Sequence, residues 1–238
     1  MTLLDEVLDA SGGADRWRRL RRFTAHLSID GALLARRGRA ALAKDIVVEG
    51  FPETQSLRLT GCTGSDRRCL CRPEHVAIAR LDGRLLVERA DPRAALLQVS
   101  DGEAWDDPHL VYFCAVSIWH CLALPLLLTR AGVASEELPP WSERGEIRRR
   151  LRVIFPHGAP THCAEQILHL DAAGLLRRVD CEPVGGGGMR VADLCSAHQE
   201  FSGLVIPTLR RCLALDASGA IVARPAQIDV EIFDASFA

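Results

Sequence analysis

In the second half of the chain, polar side chains occupy positions where a purely structural sheet would carry apolar ones. His162, Glu165 and Gln166 lie in one strand-like run, residues 162–171, and His198, Glu200, Arg210 and Arg211 lie in two runs that follow. A histidine and a carboxylate facing one cavity can move a proton, because imidazole titrates near neutral pH. An arginine beside them can grip an enolate or carboxylate oxygen through two parallel N–H bonds. Side chains alternate along a strand, so His162 and Gln166 share one face while Glu165, His169 and Asp171 share the other. Which face points inward stays open, since Leu168 and Leu170 oppose Cys163 and Ile167. A blander reading stands beside the chemical one: strand histidines commonly sit at the surface, and Glu–Arg neighbours across strands commonly stand in water. The same alternation sends His162 and Cys163 to opposite faces, which argues against a thiol–imidazole dyad.

His120 poses a separate question. Helical spacing places it with Val116 and Leu124 on one face of an otherwise apolar segment, with Trp119 adjacent. Burying an imidazole without a partner costs on the order of 1–3 kcal/mol, so a carbonyl, a carboxylate, water or a ligand must meet it. It reads either as a satisfied core histidine or as a third proton carrier. Tyr112, the sole tyrosine, begins the same segment and is a candidate to present its hydroxyl at a cavity mouth.

Spacing gives little support to other chemistry. Eight histidines form neither H-x-H nor HExxH, and Cys69-x-Cys71 has no second ligand pair, so no metal site is expected. No G-x-S-x-G elbow occurs. The glycine run 185–188 lacks a following Lys-Ser/Thr and a helix, so it is no phosphate loop but a long hairpin or a hinge. No cofactor is expected.

The elements that must position these groups follow from composition and period. At 238 residues and 48% apolar, the chain has the material for one large core and reads as a single domain, 1–238. A net charge of −2 gives no field for nucleic acid. The arginines gathered at 16–22 and 148–152 have no interleaved aromatic platform and read as solvated faces. The opening MTLLDEVLDASGG is acidic and amphipathic rather than a secretion leader, so a cytoplasmic protein with nine reduced thiols is expected. Most of those cysteines sit inside apolar patterns as small hydrophobes.

Two short helices open the chain within residues 1–22, ended by Gly12-Gly13 and carrying Trp17 and Leu20 inward. The period then becomes two: Phe23, Ala25, Leu27 and Ile29 alternate with polar residues. Further strands fit 45–51, 55–61, 75–81 and 84–89, closing a first meander over 23–90, with Asp82-Gly83 a tight hairpin. A second meander fits 146–238, with strands at 146–155, 162–171, 175–182, 190–201, 204–213 and 226–233. Between the meanders, residues 108–130 carry LVYFCAVSIWHCLALPLLL, nearly long enough to span a bilayer. His120 and Pro125 inside it, and Asp106, Asp107 and His109 before it, point to a buried core helix instead. Strands joined by short turns imply an α+β, β-rich fold with an antiparallel sheet around that helix.

With this pattern laid out, Gly12-Gly13…Trp17…Leu20 followed by a strand resembles the opening of LolA-type lipoprotein carriers. The chain is also similar to a family of uncharacterised bacterial proteins without secretion signals. That resemblance passes through 105–110 (Trp105 to Leu110), Tyr112-Phe113, Thr161-His162, Glu165-Gln166, 174–178, 198–201 and Pro207-Thr208 with Arg210-Arg211. It departs from the family pattern at Val179 and Asp193, where histidines are common, and at His120, where asparagine is. The resemblance implies an incomplete β-barrel, a curved antiparallel sheet wrapped around the apolar helix and enclosing an apolar cavity.

The resulting expectation is a protein that binds a hydrophobic small molecule, acting as a cofactor-independent isomerase, cyclase or lyase. His162, His198 and His120 would move the proton, with Glu165 and Arg210 steadying charge. Tyr112, Trp119, Trp105, Gln166 and Arg211 would contact the ligand. The alternative is a non-catalytic carrier of an apolar or lipid-like ligand. Neither reading involves nucleic acid or a membrane span.

Overall fold

The structure is a computed structural model in which residues 2–143, 145–183, 189–222 and 225–238 are described; the 185–188 run lies outside them. Five helices and thirteen strands occur among the described residues. The helices are α1 (Leu3–Ala10), α2 (Ala14–Arg19), α3 (Ala32–Arg36), α4 (Pro92–Leu97) and α5 (Asp107–Leu128). The strands are β1 (Phe23–Asp30), β2 (Ile46–Phe51), β3 (Ser56–Gly61), β4 (Gly64–Arg72), β5 (His75–Arg80), β6 (Leu85–Ala90) and β7 (Ala134–Glu143). They continue with β8 (Glu146–Ile154), β9 (Glu165–Leu170), β10 (Leu176–Cys181), β11 (Val191–Phe201), β12 (Leu204–Ala214) and β13 (Ile228–Phe237).

The strand order is β6-β5-β4-β3-β2-β1-β13-β12-β11-β10-β9-β8-β7, an antiparallel sheet that does not close on itself. Together with the buried helix α5, this is the expected fold class. By its internal contacts the chain divides into two compact units, Met1–Arg19 with Trp119–Arg224, and Leu20–Ile118 with Pro225–Ala238. The first holds β7 to β12 and the second holds β1 to β6 and β13.

In the first unit, Thr2 caps α1: its hydroxyl accepts from the Asp5 N–H while the Asp5 carboxylate accepts from the Thr2 N–H. Leu3, Val7 and Leu8 of α1 pack with Leu124, Leu127 and Leu128 of α5 and with Leu151, Leu168 and Leu170 of the sheet. The chain then turns at Gly12, which has φ 106° and passes so close to β12 that a Cβ there would lie 2.3 Å from the Gly203 carbonyl oxygen. The same corner is pinned by fully buried Trp17, whose indole N–H donates to the Ser11 carbonyl at 3.0 Å. Val205 N–H donates to that carbonyl as well.

In the second unit, β1 has the expected bounds, and its alternate residues Phe23, Ala25, Leu27 and Ile29 are buried. It pairs with β2 on one side and β13 on the other, with a register shift between His26 and Leu27. The hairpin at Asp82-Gly83 forms as expected, with Gly83 at φ 93°.

Three elements were not anticipated. In β4 the inward positions are filled by Cys69 and Cys71, which alternate with outward Leu70 and Arg72. Small thiols at period two are a strand signal, here on the buried face of β4. In β7, Pro139 and Pro140 mark a register shift within a strand rather than its end. As the terminal strand of the order, β7 has one unpaired edge, where a residue without an N–H costs no ladder bond. The third is the short helix α3, which follows Gly31.

The helix α5 is long and apolar enough to cross a membrane by composition, and it is mostly buried inside the protein. Its dihedrals break at Ala123 (φ −132°, ψ 22°), two residues before Pro125.

Candidate functional site

The polar groups that come together all belong to the first unit. β11 and β12 pair so that Cys195 faces Arg210 and Asp193 faces Cys212. Directly opposed residues project to the same side of a sheet, and i, i+2 residues repeat it, so Asp193, Cys195, Arg210 and Cys212 share one face. On β9 the inward face carries Gln166, Leu168 and Leu170, which settles the parity that alternation alone left open.

Arg210 is almost wholly buried and forms an ion pair with Asp193. It also donates to His120 twice, from Nη1 to the main-chain carbonyl at 2.9 Å and from Nη2 to ring Nδ1 at 3.0 Å. A guanidinium is only a donor, so Nδ1 must be the unprotonated nitrogen and the proton sits on Nε2. That N–H meets the Gln166 Oε1 at 2.8 Å. Gln166 in turn donates through Nε2 to the Thr161 hydroxyl at 2.7 Å and to the Cys163 carbonyl at 3.1 Å. Burial, and then the nearby Arg210 charge, hold the His120 pKa down at about 3. His120 is therefore the satisfied core histidine, neutral and with both ring nitrogens engaged.

A small pocket adjoins this chain of bonds. Its walls include Val7, Leu124, Leu128, Leu168 and Leu176, with Ser11, His198 and Arg210 as polar members. Its volume is ≈ 20 Å³, the room of about one water. His198 follows Ala197, whose φ of 51° interrupts the alternation of β11 after inward Cys195. Its Nδ1 lies 3.4 Å from Arg177 Nη1, and Arg177 is held by Asp171 at 2.6 Å. Burial lowers the His198 pKa.

The remaining candidates lie elsewhere. His162 sits in the loop before β9 rather than on the strand, so its shared face with Gln166, and the alternation argument about Cys163, do not apply. Glu165 points outward and pairs with Arg152 at 2.8 Å in a largely exposed ion pair, where that hydrogen bond lowers its pKa. A carboxylate so placed cannot share a cavity with Gln166, its neighbour on the opposite face. Arg211 is exposed on the outer face of β12. Trp119 is buried in α5.

Trp105 and Tyr112 belong to the second unit. Trp105 is buried against Phe113, with ring centroids 5.0 Å apart. Tyr112 is buried with its pKa raised, mainly by burial. Among the described residues, no group of three or more His, Cys, Asp or Glu side chains is arranged to hold a metal. The arginines of β8 are held in contacts, Arg149 with Glu137 and Glu6, Arg152 with Glu136 and Glu165.

Asp193 was missed as a site residue. The signal was present: a single carboxylate at an inward slot between Val191 and Cys195, on the strand next to an arginine with the same parity. Cys163 and Cys181 were missed as a pair. Their sulfurs lie 2.7 Å apart, far closer to the ~2.05 Å of a disulfide than separate thiols sit. The Cys181 thiol is pushed to high pKa by its hydrogen bond with Cys163 and by burial, so thiolate attack is slow. Prolonged exposure to glutathione disulfide is expected to join the two, releasing two glutathione thiols and removing two hydrogens from the protein mass. Peptide mapping should recover a Cys163–Cys181 cross-link, and Cys163→Ser should abolish it; modification at other cysteines alone would refute the pairing.

No family model and no curated protein matches the sequence. Solved structures do match. A DUF1329 family protein from Desulfovibrio piger is similar with a TM-score of 0.57 at 9% identity, over 100% of this chain and 94% of that one. A LolA superfamily protein from Nitrosomonas europaea is similar with a TM-score of 0.54 at 10% identity, over 100% and 94% of the two chains. The unclosed antiparallel sheet, the buried apolar helix and these two likenesses agree: this chain has the LolA-type fold.

Proposed function

We propose that the protein binds an apolar, lipid-like molecule in the pocket of its first unit and carries it without changing it chemically. The observation that carries this reading is the pocket itself: leucine and valine walls, with Ser11, His198 and Arg210 as its polar members. Ligand pockets are commonly apolar with a few placed polar groups that set orientation. The LolA-type fold favours the same reading.

The isomerase, cyclase or lyase alternative needs a free base, and two of the groups expected to serve it are committed elsewhere. Both nitrogens of His120 are bonded within the protein. Glu165 is committed to Arg152 on the outer face. The pocket as it stands admits no hydrocarbon chain, so entry requires its walls to part. The break of α5 at Ala123 and Pro125 lies beside wall residue Leu124 and gives a place for that change.

The test is incubation of the full chain with a mixed lipid extract, followed by native mass spectrometry and then denaturation. The expected result is a retained apolar molecule, recovered with the mass it had in the extract. Leu168→Trp, which fills the pocket, should remove that retention. Release of a transformed product would favour the enzyme reading instead, and no retention under any lipid would defeat the carrier reading.

A further inference from the structure

The two ends of the strand order are made differently. At one end, β7 carries Glu136, Glu137, Pro139 and Pro140, and charges and prolines keep an open strand edge from pairing. At the other, β6 has neither proline nor lysine, opens with Leu85-Leu86-Val87, and has no buried residue. Leu81, Leu85, Leu86 and Leu97 lie on it or next to it in the chain. They are four of the ten large hydrophobic side chains exposed among the described residues.

The direction of each main-chain group on that edge follows from two hydrogen bonds. Asp91, just past β6, donates its N–H to the Glu74 carbonyl at 2.9 Å, on the β5 side. Successive residues of a strand turn to alternate sides, so Arg89 and Val87 face β5, while Ala90, Glu88 and Leu86 turn their N–H and C=O to the open edge. Arg84 faces β5 again, its carbonyl accepting from the Arg80 N–H at 2.9 Å. That return needs one extra residue, and the ladder shows it: Val87 pairs with Ile78 and Leu85 with Ala79, which leaves Leu86 without a partner in β5. An exposed leucine therefore sits on an edge whose hydrogen-bonding groups no neighbouring strand takes up.

We propose that β6 is the seam of a homodimer, in which the β6 strands of two copies pair antiparallel about a two-fold axis at Val87. Leu86 of one protomer then exchanges both main-chain bonds with the partner's Glu88, and Glu88 with the partner's Leu86. Val87 meets the partner's Val87 at a position without hydrogen bonds, on the face it shares with buried Ile78. Arg84 stands diagonal to the partner's Glu88, an opposite charge within reach of long side chains. An axis at Glu88 would instead set two carboxylates directly opposite each other, which disfavours that register. The seam is short compared with a standard interface, so the expected dissociation constant is about 10–100 μM.

Sedimentation equilibrium of the full chain from about 5 to 500 μM tests the proposal, the expected result being a monomer that becomes a dimer across that range. Leu86→Lys supplies the charge that natural edges use against pairing and should weaken the dimer at least about tenfold. Leu86→Pro removes an N–H that β5 does not use and should do the same with the thermal midpoint unchanged; should it fail to fold, the lysine variant decides. Mild oxidation of Val87→Cys should give a covalent dimer linked through the introduced thiol, because opposed residues without hydrogen bonds lie about 4.5 Å apart at Cα, within disulfide range. Ala90→Cys should give none, since its two copies fall about 20 Å apart along the seam. A monomer at every concentration would overturn the proposal and leave the edge to a strand of another protein. A dimer untouched by Leu86→Lys, or one linked through Ala90→Cys and not Val87→Cys, would overturn it as well.

Discussion

Replacing Asp193 by alanine is expected to destabilise the protein by about 3–5 kcal/mol, because it strands the Arg210 guanidinium in the interior. The Arg210 side chain is 2% exposed and that of Asp193 18%, so water cannot take the lost partner's place. The two hydrogen bonds from Arg210 to His120 orient the guanidinium but do not neutralise it. The double change Asp193→Leu with Arg210→Met should recover most of the loss, since a buried ion pair and an apolar pair of similar volume differ little in stability. Chemical denaturation of Asp193→Leu, Arg210→Met and the double variant closes a mutant cycle that isolates the pair. A loss below about 1 kcal/mol for Asp193→Ala would mean that the pair is hydrated and behaves as a surface ion pair.

Stability is expected to fall as pH drops from about 6.5 toward 4.5, with His120 as the main cause. In the unfolded chain an imidazole titrates near 6.5, whereas in the fold burial and the Arg210 charge hold His120 at about 3. Between those values the unfolded state binds one more proton than the native state, so stability rises with pH by up to ~1.4 kcal/mol per unit. The contribution is complete above the unfolded value and is lost progressively as pH falls through the interval. His198 and His109 are also shifted down, mainly by burial, and act with the same sign. The carboxylates with lowered pKa, such as Asp171 and Asp180, enter only at lower pH. Urea midpoints at pH 7, 6 and 5 should show the slope, and His120→Gln, which can bond but cannot titrate, should reduce it by about one proton. The His120 ring resonances should stay unshifted between pH 7 and 5 in the native protein. A normal imidazole titration there would remove the argument.

Period and turn chemistry carried a large part of the fold. The alternation Phe23, Ala25, Leu27, Ile29 appears as the buried face of β1. Asp82-Gly83 turns where the dipeptide says it should, and the apolar segment around His120 is a buried helix. These signals are local: a side chain's repeat along its own element is written in consecutive residues, and a glycine's tolerance of positive φ needs no partner.

What failed depended on neighbours. Proline reads as a strand breaker until the strand is known to lie at the end of the order, as β7 does. Cys69 and Cys71 do not show themselves as strand residues until β3 and β5 are found on either side of them. The run before β9 alternates well enough to suggest a strand from His162, but its first residues form a loop.

The candidate site divides along the same line. Residue types alone singled out His120, Gln166, Arg210 and His198 as polar groups in apolar surroundings, and they implied that His120 must have a partner. Folding chose the partners: Gln166 from 46 residues away, Arg210 from 90, and Asp193 as the counter-charge. It also set the proton on Nε2 of His120 and sent Glu165 and Arg211 to the outer face. A sequence records how apolar or polar each position is, which is a property of the single residue. Protonation state and hydrogen-bond partner depend on distances across the sheet, and those exist only once strand register places the groups side by side.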